Sequence, residues 1–166
     1  MLVVVGLGGN VGDAAGAFVR ARAALAARHA VIATSSLWRS RAQGPRQADY
    51  LNAAVLLDVS VHPLELLALT QLLESEARRD RRHEERWGPR PLDLDLLLAG
   101  ALVVEAPVLT LPHPRLAERR FALLPAGELV PAWIHPRRHQ TITDLAAAIP
   151  ADRQPCVRVD PFPADH

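Results

Sequence analysis

The chain has 166 residues and a formal net charge of +1, with 49% hydrophobic and 22% charged residues. It holds enough apolar material for one sizeable core and too little charge bias for disorder, or for a globally charge-driven role on nucleic acid or membrane surfaces. A single cysteine excludes an internal disulfide and a thiolate metal site, which fits a reducing, cytoplasmic setting, and the 19 basic residues are all arginine, so neither a Schiff base nor a P-loop lysine is available.

Met1 to Val5 read as a buried strand ending in a glycine turn, with no basic segment before it and Gly6, Gly8, Gly9 and Asn10 interrupting the apolar run, so it is neither a signal peptide nor a membrane span. Asp13 is placed to cap a helix running to about His29, with Phe18, Val19, Ala23, Leu25 and Ala26 on one face. Residues 31 to 38 return as a second strand, followed by a polar loop from Arg39 to Asp49. Tyr50 to Val61 form a third strand, antiparallel to the second. Pro63 opens a second helix, with Glu65 at its positive end and Leu64, Leu67, Leu72 and Leu73 as the buried stripe. A charged loop from Arg78 to Arg86 leads to a fourth strand, Pro91 to Leu98. The order β-α-β-β-α-β predicts an α+β, ferredoxin-like core: an antiparallel sheet with helices on one face. Additional C-terminal elements follow: an edge strand at Leu102 to Val104, a helix at Arg120 to Leu129 around Pro125, another at Thr143 to Ile149 capped by Thr143, and an irregular tail from Pro150. Residues 1 to 166 read as one domain.

The segment GLGGNVGD invites a dinucleotide-binding reading, but the third glycine of that fingerprint would fall at Val11 and no acid lies between Asp13 and Asp49 to hold a ribose. A tight turn braced by Asn10 fits better. The informative stretch is RWGPRPLDLDLLL, Arg86 to Leu98. Strand alternation sends Leu92, Leu94 and Leu96 one way and Asp93 and Asp95 the other, with the two carboxylates about 6.6 Å apart along the strand, near enough to share small hard cations. Two such charges repel unless a counter-ion is present.

Arg90 can neutralise the pair in part, so an acidic solvated strand with a salt bridge is the plain alternative. Six arginines between positions 78 and 90 supply phosphate-binding charge, although Asp80, Glu84 and Glu85 among them also suit a solvated helix end. Acids for Mg²⁺ beside arginines for phosphate oxygens is the arrangement phosphoryl transfer requires. His113, stiffened between Pro112 and Pro114, is either structural or presented to a phosphate. The seven histidines show no HExxH spacing, and aromatics at 4% are too few for base stacking on a sheet, so zinc and RNA are not indicated.

Together with GGN at Asn10, DYLNAAV at Asp49 to Val55, TQLLE at Thr70 to Glu74 and LPHPRLAERRF at Leu111 to Phe121, this stretch resembles the 6-hydroxymethyl-7,8-dihydropterin pyrophosphokinase family over about Val3 to Leu129. The resemblance implies transfer of the β,γ-diphosphate of ATP to a pterin hydroxymethyl group, with release of AMP, in folate biosynthesis. It implies that Asp93 and Asp95 hold two Mg²⁺ ions, that Tyr50 and Phe121 sandwich the pterin, that Asn52 bonds its edge, and that Ser40 to Gln43 complete that site. Gln71, Glu74, Trp87, Thr110, His113 and Arg119 match ATP-binding positions; Arg90, Arg79 and Arg81 match catalytic arginines, with neighbouring Arg82 a possible substitute in that loop. The chain departs from the family pattern at Gly9 (serine), Arg78 (glycine), Val108 (arginine) and Pro114 (tyrosine). A monomer acting on small molecules, with no nucleic acid or membrane partner, is the expectation. A non-catalytic ferredoxin-like binding module and a Mg²⁺-dependent nucleotidyltransferase are the alternatives.

Overall fold

The computed structural model describes residues 1–42, 46–77 and 89–164. The main sheet contains β1 (Leu2–Gly9), β2 (Ala30–Thr34), β3 (Leu37–Ser40), β4 (Tyr50–Asp58), β5 (Asp93–Leu98) and β8 (Cys156–Asp160). The strands run in the order β5-β1-β4-β3-β8, with β2 also paired to β4, and every pairing is antiparallel. Two short strands, β6 (Val104–Ala106) and β7 (Leu109–Leu111), form a separate hairpin.

Among the described residues the α-helices are α1 (Ala14–Ala26), α2 (Pro63–Glu76), α3 (Arg120–Leu129) and α4 (Ile142–Ala148). Asp13 caps α1 by accepting from the Gly16 amide at 2.9 Å. At α2, His62 Nδ1 accepts from Leu64 N while Glu65 reaches back to the His62 amide, and Pro63 occupies the first turn, where its missing donor costs nothing.

The period of two along the strands builds two cores. Val3, Val5 and Leu7 of β1, Val55 and Leu57 of β4, and Leu94 and Leu96 of β5 pack against Phe18 and Leu25 of α1 and Leu66 and Leu73 of α2. The opposite face supplies Val4, Ala54, Leu56 and Leu97, which pack against Leu123 and Ala126 of α3 and Ile142 and Leu145 of α4.

The βαββαβ order and strand arrangement match the expected ferredoxin-like core, and the structure corrects several details. The helices cover both faces, because β4 and β5 carry apolar residues on each side. The first strand runs on through Gly6, Gly8 and Gly9, since the ladder to β4 holds as far as Gly9↔Leu51. The second strand divides into β2 and β3 where Ser35 and Ser36 turn inward and Ser35 Oγ accepts from Ala54 N. In α2 the buried positions are Leu66, Thr70, Leu73 and Glu74, whereas Leu64 and Leu72 are exposed. The fourth helix starts after Thr141, whose hydroxyl accepts from Asp144 N, rather than at Thr143. The edge strand expected at Leu102 to Val104 is instead β6, Val104–Ala106, which pairs with β7 in a hairpin separate from the main sheet. The tail is not irregular, because its residues 156–160 form β8 against β3.

Gly9 shows why the end of β1 admits no side chain: a Cβ there would lie 2.6 Å from the Pro91 carbonyl oxygen. At Gly8 the nearest atoms would be 3.8 Å away, an ordinary contact. Gly9→Ala should therefore lower stability by roughly 1–3 kcal/mol, read as a reduced urea midpoint at unchanged slope, while Gly8→Ala stays within about 1 kcal/mol of the parent.

Candidate active site

The face of the sheet that carries α3 changes character along the strands. Its lower half, Val4, Ala54, Leu56 and Leu97, lies beneath the helix. Its upper half holds Gly6 and Gly8 of β1, Asn52 of β4, and Asp93 and Asp95 of β5, with Gly6 opposite Asp95 and Gly8 opposite both Asp93 and Asn52. These glycines leave open the space a side chain would fill beside the acids. The resulting cleft has a volume of about 420 Å³ and is walled by Tyr50, Gln71, Arg90, His113, Arg119 and Phe121.

One asparagine organises the rim. Asn10 and Arg90 exchange two hydrogen bonds, Asn10 N to Arg90 O at 2.9 Å and Arg90 N to Asn10 Oδ1 at 2.8 Å. The Asn10 amide also donates to Gln47 Oε1 and to the Ala48 carbonyl, both at 2.9 Å. A single side chain thus ties the end of β1 to the loop entering β4 and to the segment entering β5, a reach well beyond bracing a local turn. The Arg90 guanidinium is set on Asp93 at 3.1 Å.

Asp95 faces two other groups, Arg119 Nη1 at 3.5 Å and His113 Nε2 at 3.9 Å. Burial and the Arg119 charge push the His113 pKa down to about 4, against the pull of Asp93. At neutral pH the imidazole is uncharged; Nδ1 accepts from Arg115 N at 3.1 Å, so Nε2 carries the proton and points into the cleft. Burial also pulls the Arg119 guanidinium below its usual range, opposed by Asp95. Its Nε is buried and meets no hydrogen-bond acceptor among the described residues, which suits an incoming anion.

The donor set fits Mg²⁺: two partly exposed carboxylates offer hard oxygens from one strand face. No cluster of three or more His, Cys, Asp or Glu suited to a metal occurs among the described residues. A cation here would complete its shell with water and phosphate oxygens, as Mg²⁺ commonly does.

At the other end of the cleft, Asn52 is buried and donates to Ser40 Oγ at 2.8 Å, which orients its amide between β3 and β4. Tyr50 and Phe121 wall the same end. The Arg119 guanidinium carbon lies 5.8 Å from the Phe121 ring centre, so the phosphate-type and ring-type groups are contiguous.

The family model for 7,8-dihydro-6-hydroxymethylpterin-pyrophosphokinase (HPPK) matches residues 4–131, well over half of the chain. The chain belongs to this family. A Synechocystis protein named 2-amino-4-hydroxy-6-hydroxymethyldihydropteridine pyrophosphokinase is 47% identical over 146 residues, covering 86% of this chain and 73% of the relative. A Bacillus subtilis protein of the same name is 41% identical over 132 residues, 77% of each chain. Among solved structures, wild-type Plasmodium falciparum HPPK-DHPS with SDX-DHP matches 89% of this chain at a TM-score of 0.62 and 14% identity, a likeness of fold; the chain spans 43% of that one.

Most of the residues that the HPPK resemblance singles out converge on the one cleft: Ser40, Tyr50 and Asn52 from β3 and β4, Gln71 and Glu74 from α2, Arg90, Asp93 and Asp95 around β5, and His113, Arg119 and Phe121 beyond it. Glu74 is buried, and its carboxylate accepts from Leu94 N at 2.7 Å, fastening α2 to the strand that carries the acids. Thr110 lies on β7 in a neighbouring recess that shares His113 with the cleft. Gln43, Arg79, Arg81 and Trp87 lie outside the described residues. The three-way reach of Asn10 was not legible from sequence, because its partners are 37, 38 and 80 positions away.

The native imidazole binds its proton less readily than the unfolded one, whose pKa is near 6.5, so the stability from neutral His113 is present above 6.5 and is lost as pH falls towards 4. In the metal-free protein the His113 ring resonances should titrate with a midpoint near pH 4. A midpoint in the ordinary histidine range would contradict its burial against Arg119.

Proposed function

We propose that this chain transfers the β,γ-diphosphate of ATP to the hydroxymethyl group of 6-hydroxymethyl-7,8-dihydropterin, giving the pterin diphosphate and AMP. The observation that carries this reading is the continuity of the cleft: an acidic pair among arginines at one end, and two aromatic rings with a buried amide at the other.

In this reading the pterin lies between Tyr50 and Phe121, where a flat heterocycle buries apolar area on both faces while Asn52 addresses its edge and the segment Ser40 to Gln43 closes the site. Gln71, Glu74, Trp87, Thr110, His113 and Arg119 bind ATP. The hydroxyl oxygen attacks the β-phosphorus, the bond from that phosphorus to the oxygen bridging it to the α-phosphate breaks, AMP departs, and the hydroxyl proton passes to solvent. Arg90, fixed by Asn10 through its backbone and by Asp93 through its guanidinium, is pre-positioned to stabilise the transferred group without reorganising. His113 offers an uncharged N–H to a phosphate oxygen, and Arg119 meets the charge beside it. Arg79 and Arg81 add positive charge from the loop after α2.

Asp93 and Asp95 would hold Mg²⁺, two ions by resemblance, and the metal when bound neutralises phosphate charge and acidifies the attacking hydroxyl. We assign the enzyme to the cytoplasm, acting as a monomer on small molecules alone. No described helix is long and apolar enough to cross a membrane.

Incubation with Mg²⁺, ATP and the pterin, followed by chromatography of the nucleotides, should yield AMP only when the pterin is present. ADP would indicate a single-phosphoryl kinase, AMP retained on the pterin would indicate a nucleotidyltransferase, and no turnover would favour a binding module.

A further inference from the structure

Arg119 and Phe121 lie on either side of Arg120, at the start of α3, where the first backbone donors have no acceptor within the helix. The cap residue, Arg119, supplies no side-chain hydrogen bond. Pro125, inside the helix, has no N–H to return to the Phe121 carbonyl four residues earlier. The Arg119 carbonyl accepts from Ala122 N and Leu123 N, both at 3.0 Å, whereas the Arg120 amide is one of the first-turn donors that a helix cannot satisfy internally and that needs a tertiary acceptor.

Gln154 provides it. Its Oε1 accepts from Arg120 N at 2.8 Å, and its Nε2 donates to the Glu118 carbonyl at 2.7 Å. One planar amide thus binds the backbone on both sides of Arg119, as a paired strand would. The Arg120 guanidinium adds longer bonds to the Gln154 and Cys156 carbonyls, both at 3.4 Å. Gln154 is itself anchored, since its backbone N–H donates to Pro150 O in a turn and Cys156 pairs in register with Ser40 on β3. A small recess of about 90 Å³ is lined by Phe121 together with Ser40, Gln154 and Cys156, so the ring borders the segment that carries the clamp. Gln154 and Cys156 lie beyond residue 131, where the family match ends, whereas the backbone they hold lies within it.

We infer that Gln154 is a positioning residue for the reaction, locking Arg119 and Phe121 into the cleft through a two-point clamp on the backbone between Glu118 and Arg120. It touches no substrate and acts only through those two residues. The inference rests on the proposed pterin and phosphate roles of Phe121 and Arg119.

The test compares the parent protein with Gln154→Ala and with Val157→Thr, a change at an exposed β8 position outside the site. Direct titration of the pterin in the presence of a non-hydrolysable ATP analogue should show roughly tenfold weaker pterin binding for Gln154→Ala, with KM for the pterin rising in parallel. Hydrogen exchange at the Arg120 amide should accelerate, while exchange in β1 and β4 and the thermal midpoint stay near those of the parent. Val157→Thr should match the parent throughout. Parental pterin affinity in Gln154→Ala, or equal losses in both variants, would overturn the inference. If Gln154→Ala unfolds, Gln154→Glu keeps the acceptor for Arg120 N and replaces the donor to Glu118 with a carboxylate oxygen that repels its carbonyl; an unchanged pterin affinity there would overturn it equally. Failure of the parent protein to turn over would instead count against the proposed function.

Discussion

The site depends on the alternation of side chains along β5. Leu94 and Leu96 are buried against α1 and α2, so Asp93 and Asp95 must emerge on the opposite face. Burying two carboxylates under a helix would be prohibitive, and α3 covers only the half of that face where Val4, Ala54, Leu56 and Leu97 lie. The boundary between covered and open sheet therefore falls where the sequence changes from apolar to acidic. The cleft is the part of the sheet face that the helix layer leaves open.

The surrounding groups keep that exposed acidic pair tolerable and useful. Asp93 is balanced by Arg90, and Asp95 by Arg119 with a neutral His113 beside it. Neither arginine is held by its acid alone. Arg90 is pinned by Asn10, and Arg119 by the Gln154 clamp on its neighbours. Charge is set in place before ligand arrives, which is how electrostatic stabilisation avoids a reorganisation cost during reaction.

The repeating core was legible in the sequence because hydrophobic period and capping are local signals. Asp13 capping α1, Pro63 opening α2 and the DLDL alternation each act over a few residues. The elements that departed from expectation are governed by distant partners. Nothing within residues 150–166 announces β8, since its pairing partner is β3, more than a hundred positions earlier. Gly6, Gly8 and Gly9 read as a turn because glycine usually marks one; here they continue a strand in which a Cβ would press on Leu97 at Gly6 and on the Pro91 carbonyl at Gly9. The second helix core on the α3 side required knowing that β4 and β5 are apolar on both faces. For the candidate site, local spacing drew attention to Asp93, Asp95, Arg90 and His113 and the family resemblance added Tyr50, Asn52 and Phe121, whereas Asn10 as a staple and Gln154 as a clamp arise only once the chain is folded.

We propose that Asp93 and Asp95 form a cation-dependent site for the phosphates of ATP. Calorimetric titration of an ATP analogue with a non-cleavable link between its α- and β-phosphates, with and without Mg²⁺, tests this directly in the parent protein and in the Asp93→Asn, Asp95→Asn double variant. Binding that depends on Mg²⁺ in the parent and loses that dependence in the folded variant is the expected result. Equal Mg²⁺-dependent affinity in both proteins would show that the acidic pair does not hold the metal.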